Sequence, residues 1–137
     1  MDELYREHIL EHYRHPKNKG VLPDAQKSAT VANPMCGDKM TIYVSLDADD
    51  RVSEISFDGE SCAVATASAS LLTDYAKGKA IQILKVMTPG DVYTLLGTTL
   101  NPARTACALL PYRAMLDALH ENEKEKGKAR PSVTKPL

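Results

Sequence analysis

Cys36 and Asp38 stand two residues apart in the stretch Asn33-Pro34-Met35-Cys36-Gly37-Asp38. A thiol beside a carboxylate is a donor pair that a borderline-soft ion such as Zn²⁺ accepts together in one tetrahedron. Pro34 fixes its own φ and biases Asn33 to extended backbone, while Gly37 permits a geometry that a Cβ forbids. The stretch can therefore turn tightly with both donors pointing the same way. A lone Cys-Gly-Asp is more often an ordinary turn in which the Asp accepts backbone hydrogen bonds beside a packed cysteine. The chain holds three cysteines in all, and Cys62 and Cys107 are expected to fold back onto this loop, giving a site of three sulfurs and one carboxylate oxygen. An odd number of cysteines rules out complete internal pairing, so in a reducing compartment metal binding or reactive thiols are the leading chemistries.

A chain of 137 residues and 15.0 kDa can bury one real core and no more. We expect one domain over residues 1–120 and a charged C-terminal tail over 121–137, a segment rich in charge with Gly127, Pro131 and Pro136 and almost nothing apolar. With 17 basic against 18 acidic side chains, the formal charge of −1 offers no basic field for nucleic acid or an anionic membrane surface. No apolar run approaches the roughly 20 residues of a membrane span. Met1-Asp2-Glu3 does not open a signal peptide, so the expected location is cytoplasmic.

The elements that must position the three thiols follow from periodicity. Residues 2–15 predict an amphipathic helix with Tyr5, Ile9 and Tyr13 on one face, ending at His15-Pro16. His8 and His12 share that helix at a chelating spacing but lack the Glu that gives a zincin motif its mechanism, which leaves solvated histidines as the simpler reading. A polar connector over 16–27 leads to a short strand at Thr30-Val31-Ala32. Beyond the Cys36 loop, Met40, Ile42, Val44 and Leu46 alternate with polar residues, as in a strand buried on one face. Asp47-Ala48-Asp49-Asp50 turns the chain into a return strand of Val52, Ile55 and Phe57, whose broken alternation suggests a bulge. A helix then starts close to Cys62, with Val64, Ala67, Leu71 and Tyr75 as its stripe and Ala65, Ser68 and Ala69 small enough for another element to approach. At a helix N-terminus Cys62 is either a thiolate favoured by free N–H groups or a small packed residue. Two short helices divided by Thr88-Pro89-Gly90 follow, and Asn101-Pro102 signals a last helix with Leu109, Tyr112, Leu116 and Leu119 inward. Pro111 either kinks that helix or delays its start, which would leave Cys107 on a loop.

Several stretches in one order resemble the motifs of the IscU/SufU/NifU-N family of iron–sulfur cluster assembly proteins. They are Leu4-Tyr5-Arg6 through His12-Tyr13, Pro16-Lys17-Asn18-Lys19-Gly20, Asn33 to Asp38, Gly59-Glu60-Ser61-Cys62-Ala63 with Ala67-Ser68-Ala69-Ser70, and Ala103-Arg104-Thr105-Ala106-Cys107. The resemblance implies an α+β fold in which helices pack on one face of a three-stranded antiparallel β-sheet, as in the SufE/NifU-like, IscU-type architecture. It also implies a protein that receives persulfide sulfur from a cysteine desulfurase. Cys36, Asp38, Cys62 and Cys107 would hold the metal or cluster, Cys107 would be the sulfur acceptor, and Arg104 would either support a sulfur intermediate or be a solvated charge. IscU-type scaffolds carry a His directly before the third cysteine. Here that residue is Ala106, as in the SufU branch, whose zinc is held by three Cys and one Asp. The compact spacing from Cys62 to Cys107 is nonetheless IscU-like.

Three functions are compatible with these residues. In a sulfur relay, Zn²⁺ on three thiolates and a carboxylate leaves the site with a net formal charge of about −2, so one thiolate is exchangeable and can act as nucleophile. In a scaffold, the same residues carry Fe as a labile [2Fe–2S] cluster destined for apo iron–sulfur acceptor proteins or carriers. In a structural zinc-binding interaction domain, the site is inert and its removal unfolds the chain.

Overall fold

The structure, a computed structural model, describes residues 3–33, 37–97 and 102–125, with side chains over 6–33, 37–97 and 104–120. Three strands, β1 (Lys27–Asn33), β2 (Asp38–Leu46) and β3 (Val52–Glu60), form an antiparallel sheet in the order β1-β2-β3. Period-2 alternation places Met40, Ile42 and Val44 on one face of β2, all fully buried. Val31 lies opposite Met40, and Phe57 and Ile55 lie opposite Ile42 and Val44, so the buried face spans all three strands. The same alternation runs back to Asp38, and its partner Asn33 likewise extends the buried side of β1.

The expected bulge falls at Ser53: Glu54 pairs with Ser45 and Val52 with Leu46, leaving one extra residue on β3. β3 continues through Asp58-Gly59-Glu60. Gly59 lies opposite Met40 at φ +134°, and a Cβ there would run into the carbonyl oxygen of Lys39. That close approach brings the end of β3, and so Cys62, up against the start of β2. The outer side of β3 is covered by the connector, through Phe57 N–H to Asn18 O at 3.0 Å and Gly20 N–H to Phe57 O at 2.8 Å.

Five helices complete the described fold: α1 (Glu3–Arg14), α2 (Ala63–Ala76), α3 (Ile81–Lys85), α4 (Pro89–Leu96) and α5 (Pro102–Glu125). α5 packs on β1 and β2 and α2 on β3, while α1 and α4 pack against α2. α2 is thus the central helix, and Val64 through Ser70 are buried without a break rather than along one stripe. Its Ala, Ser and Thr content makes this possible, because small side chains let neighbours close in from several directions. Thr88 and Asp91 form the capping box that starts α4.

Two apolar stripes differ from expectation. Tyr13 is 46% exposed. α1 instead docks through Ile9 and His12, whose Nδ1 lies 2.7 Å from the hydroxyl of fully buried Ser70. Ser70 also accepts the Lys17 N–H at 2.8 Å. His12 therefore anchors α1 and is not simply solvated. On α5 the fully buried residues include Leu110, Met115 and Leu119, whereas Leu109 and Leu116 are half-buried. α5 runs unbroken past Pro111, which has no N–H to offer the Cys107 carbonyl, so Cys107 sits on a helix and not a loop. The helix also continues to Glu125, five residues beyond the expected end of the domain. No helix among the described residues is long and apolar enough to cross a membrane.

Candidate metal centre

Asp38 is the first residue of β2, closing the hairpin with Asn33, and Gly37 donates its N–H to the Asn33 carbonyl at 2.9 Å. Gly37 holds φ +76°, a left-handed turn conformation that glycine takes without strain. Because Asp38 is in phase with Met40 and Ile42, its carboxylate is aimed into the core side of the sheet, and the residue is only 7% exposed. Cys62 is the N-cap of α2, with extended backbone, and its Sγ accepts the Ala65 N–H at 3.5 Å. A sulfur there sits at the positive end of the helix, beside the outward-pointing N–H groups of its first turn. Cys107 lies in the second turn of α5 and is 6% exposed.

A carboxylate oxygen of Asp38 and the sulfurs of Cys62 and Cys107 all lie within 4.8 Å of one another. Three elements distant in sequence thus deliver three donors to one point. Among the described residues, this is the one such group of three or more His, Cys, Asp or Glu. The Asp38 Oδ2 is buried and has no hydrogen-bond partner among the described residues. A buried carboxylate oxygen left unpaired costs on the order of 1–3 kcal/mol or more, so its position is better explained by a cation than by packing. Ligands bound to one tetrahedral ion at 2.0–2.3 Å stand roughly 3.3–3.8 Å apart, a contraction within reach of side-chain torsions. The donor chemistry therefore fits zinc or iron. The simpler alternatives for Asp38 and Cys62, a self-satisfied turn and a packed thiol, do not account for the orphaned oxygen.

Cys36 lies outside the described residues. Arg104 is on α5 one turn before Cys107 and is exposed, and Ala106, half-buried, offers no donor atom. Burial, followed by the neighbouring His8 and Lys17, holds the His12 imidazole below its ordinary value, while burial, followed by Asp91, raises the Tyr112 phenol. Tyr112 donates its hydroxyl to the Met87 carbonyl at 2.6 Å, tying α5 to the link between α3 and α4. Sequence reasoning missed two residues that shape the site. Gly59 was legible as an isolated glycine in a strand, a signal of close backbone approach. Asn33 was legible only by extending the alternation of β1 to its last residue.

The chain matches the family model for the NifU-like N-terminal domain over residues 4–129. It is 35% identical to the zinc-dependent sulfurtransferase SufU of Bacillus subtilis, covering 90% of this chain and 94% of that protein. It is also 35% identical to the iron–sulfur cluster assembly scaffold protein IscU 1 of Archaeoglobus fulgidus, over 91% of this chain and 80% of the relative. Among solved structures, a SufU from Fervidobacterium islandicum superposes with a TM-score of 0.72 at 25% identity, covering 82% of this chain and 94% of the other. The N-terminal part of a NifU-like protein from Brucella abortus shares the fold, with a TM-score of 0.73 at 23% identity over 90% and 97% of the two chains. With its three-stranded sheet, its helices on one face and its Asp-Cys-Cys cluster, this chain belongs to the IscU/SufU/NifU-N family.

Proposed function

We propose that the protein is an iron–sulfur cluster assembly factor that accepts persulfide sulfur from a cysteine desulfurase, at a zinc site formed by Cys36, Asp38, Cys62 and Cys107. The observation that carries this reading is the convergence of Asp38, Cys62 and Cys107 around an unpaired, buried carboxylate oxygen. Zinc bound there would keep its thiolates deprotonated and hold them in place until a partner arrives. Cys107 is the acceptor. Its thiolate attacks the terminal sulfur of the partner's persulfide; a new S–S bond forms at Cys107 Sγ, the partner's S–S bond breaks, and the partner's cysteine leaves as a thiolate. One sulfur atom moves with no net oxidation. Cys62, held at the start of α2, remains behind as a fixed donor, and exposed Arg104 offers positive charge to an approaching anionic persulfide. Because Cys107 is 6% exposed, docking of the desulfurase has to uncover it.

A second reading is supported by the equal identity to the Archaeoglobus scaffold protein. Here the same four residues receive a [2Fe–2S] cluster as cargo, and a donor set with one carboxylate makes that cluster labile enough to pass to apo acceptors. Labelled-sulfur transfer tests the first reading. Wild-type protein incubated with a desulfurase and ³⁵S-cysteine should carry label, and Cys107→Ser should carry none while keeping its circular dichroism spectrum. Full labelling of Cys107→Ser would remove Cys107 from the mechanism. A transferable cluster with two irons and two sulfides, formed in place of zinc, would establish the scaffold.

A further inference from the structure

We infer that Ser68 is a positioning residue for the metal centre: its hydroxyl sets where α5 sits along α2, and with it the spacing between Cys107 and Cys62. The inference rests on the metal-site reading above and adds to it a residue that is not itself a ligand. Ser68 is 1% exposed, and its Oγ donates to the Ala108 carbonyl at 2.7 Å. Ala108 is the residue next to Cys107. Ser68 lies six positions beyond the N-cap Cys62, about 9 Å along α2. One short hydrogen bond thus joins the two cysteine-bearing helices, one residue from Cys107 and less than two turns along α2 from Cys62.

Ala65, Ala69 and Ala108 are fully buried and allow close approach, but methyl groups present little to lock one helix against sliding along another. A hydrogen bond weakens steeply as it lengthens or bends, so it resists the slide that alanine packing tolerates. The other buried hydroxyls of α2 serve elsewhere. Ser70 binds His12 and the Lys17 N–H and so holds α1, Thr66 pairs with Ser61 at 2.9 Å, and Thr73 donates back to Ala69 O within its own helix. Metal–ligand distances are held to within about 0.2 Å. A sub-ångström drift of α5 is therefore felt at the centre long before it is felt by the fold.

The test compares Ser68→Ala with Ser70→Ala in the full chain, using Co²⁺ as the probe. The readouts are the thiolate-to-cobalt charge-transfer and ligand-field bands, Zn²⁺ affinity by chelator competition, and the melting temperature of the metal-free protein. Ser68→Ala should shift the cobalt bands and weaken zinc about three- to tenfold, within the range of a lost buried hydrogen bond. Ser70→Ala should lower the melting temperature by a comparable amount yet keep the wild-type bands and affinity. A wild-type spectrum and affinity in Ser68→Ala would overturn the inference, as would equal losses in both variants, since these would indicate general loosening. Failure of the wild-type chain to show thiolate–cobalt bands would overturn the metal centre itself, and Ser68 with it.

Discussion

Replacing Asp38 with alanine should stabilise the metal-free protein and shrink the stabilisation that zinc confers. In the metal-free protein the Asp38 Oδ2 is buried with no hydrogen-bond partner among the described residues, and the residue is 7% exposed. Removing an unpaired buried polar group of this kind relieves about 1–3 kcal/mol. For a chain of this size each kcal/mol corresponds to roughly 4 °C, so metal-free Asp38→Ala should melt about 4–12 °C above metal-free wild type. Zinc stabilises the variant far less. Outer partners of metal ligands cost 10–100-fold in affinity when lost, so losing a ligand itself should cost at least about 100-fold. At free zinc about 1,000-fold above the wild-type Kd, binding adds about 4 kcal/mol to the wild type but only about 1.4 kcal/mol to the variant. The zinc-dependent rise in melting temperature should accordingly shrink from about 16 °C to about 6 °C. Differential scanning fluorimetry against buffered zinc reads both arms. If metal-free Asp38→Ala melts below metal-free wild type and the zinc-dependent rise is unchanged, Asp38 is a packing residue and not a ligand.

Two further substitutions probe the frame around the site. Gly59→Ala places a methyl against the Lys39 carbonyl at a left-handed φ, forcing β3 away from β2; a loss of about 3 kcal/mol or more is expected by denaturant titration, and unchanged stability would show that the strands have slack. Burial, with His8 and Lys17 adding to it, depresses the folded-state pKa of His12 below its ordinary 6.5, against the opposing pull of Asp74 and Glu11. The unfolded chain therefore binds the His12 proton more readily. The associated stability is fully present above pH 6.5 and is lost as pH falls from 6.5 through the lower folded value. His12→Gln should flatten urea-derived stability across that window. A slope as steep as the wild type's would mean that His12 does not control the docking of α1.

Where chemistry and period coincide, the sequence was explicit. The alternation of Met40, Ile42 and Val44, the broken phase before Ile55 and the Thr88-Pro89 start signal became the buried face of β2, the bulge at Ser53 and the capped α4. These are local effects, decided within one or two turns or strand pairs. The helical stripes were less legible. In α2 and α5 much of the buried surface is Ala, Ser, Cys or Thr, residues whose hydropathy does not tell inside from outside, so an apolar stripe picks out Leu71, Tyr75, Leu109 and Leu116, which are only half-buried. Tyr13 was placed inward because an aromatic residue lay four residues from Ile9, but the polar link from His12 to Ser70 decides which face of α1 docks.

The same division runs through the site. Residue types and spacing suggested a site of three thiols and one carboxylate beside the alternative of a plain turn and packed thiols, and short motifs carried the family resemblance, because ligand chemistry and turn geometry are properties of a few adjacent residues. Only the tertiary structure could bring Asp38, Cys62 and Cys107 within 4.8 Å of one another, carry Cys107 on an unbroken α5 past Pro111, and leave the Asp38 Oδ2 buried without a hydrogen-bond partner among the described residues. Those outcomes depend on which helix faces meet, on the close approach at Gly59 and on the hydroxyl between α2 and α5. They are balances of packing between segments tens of residues apart, and no local pattern in the chain encodes them.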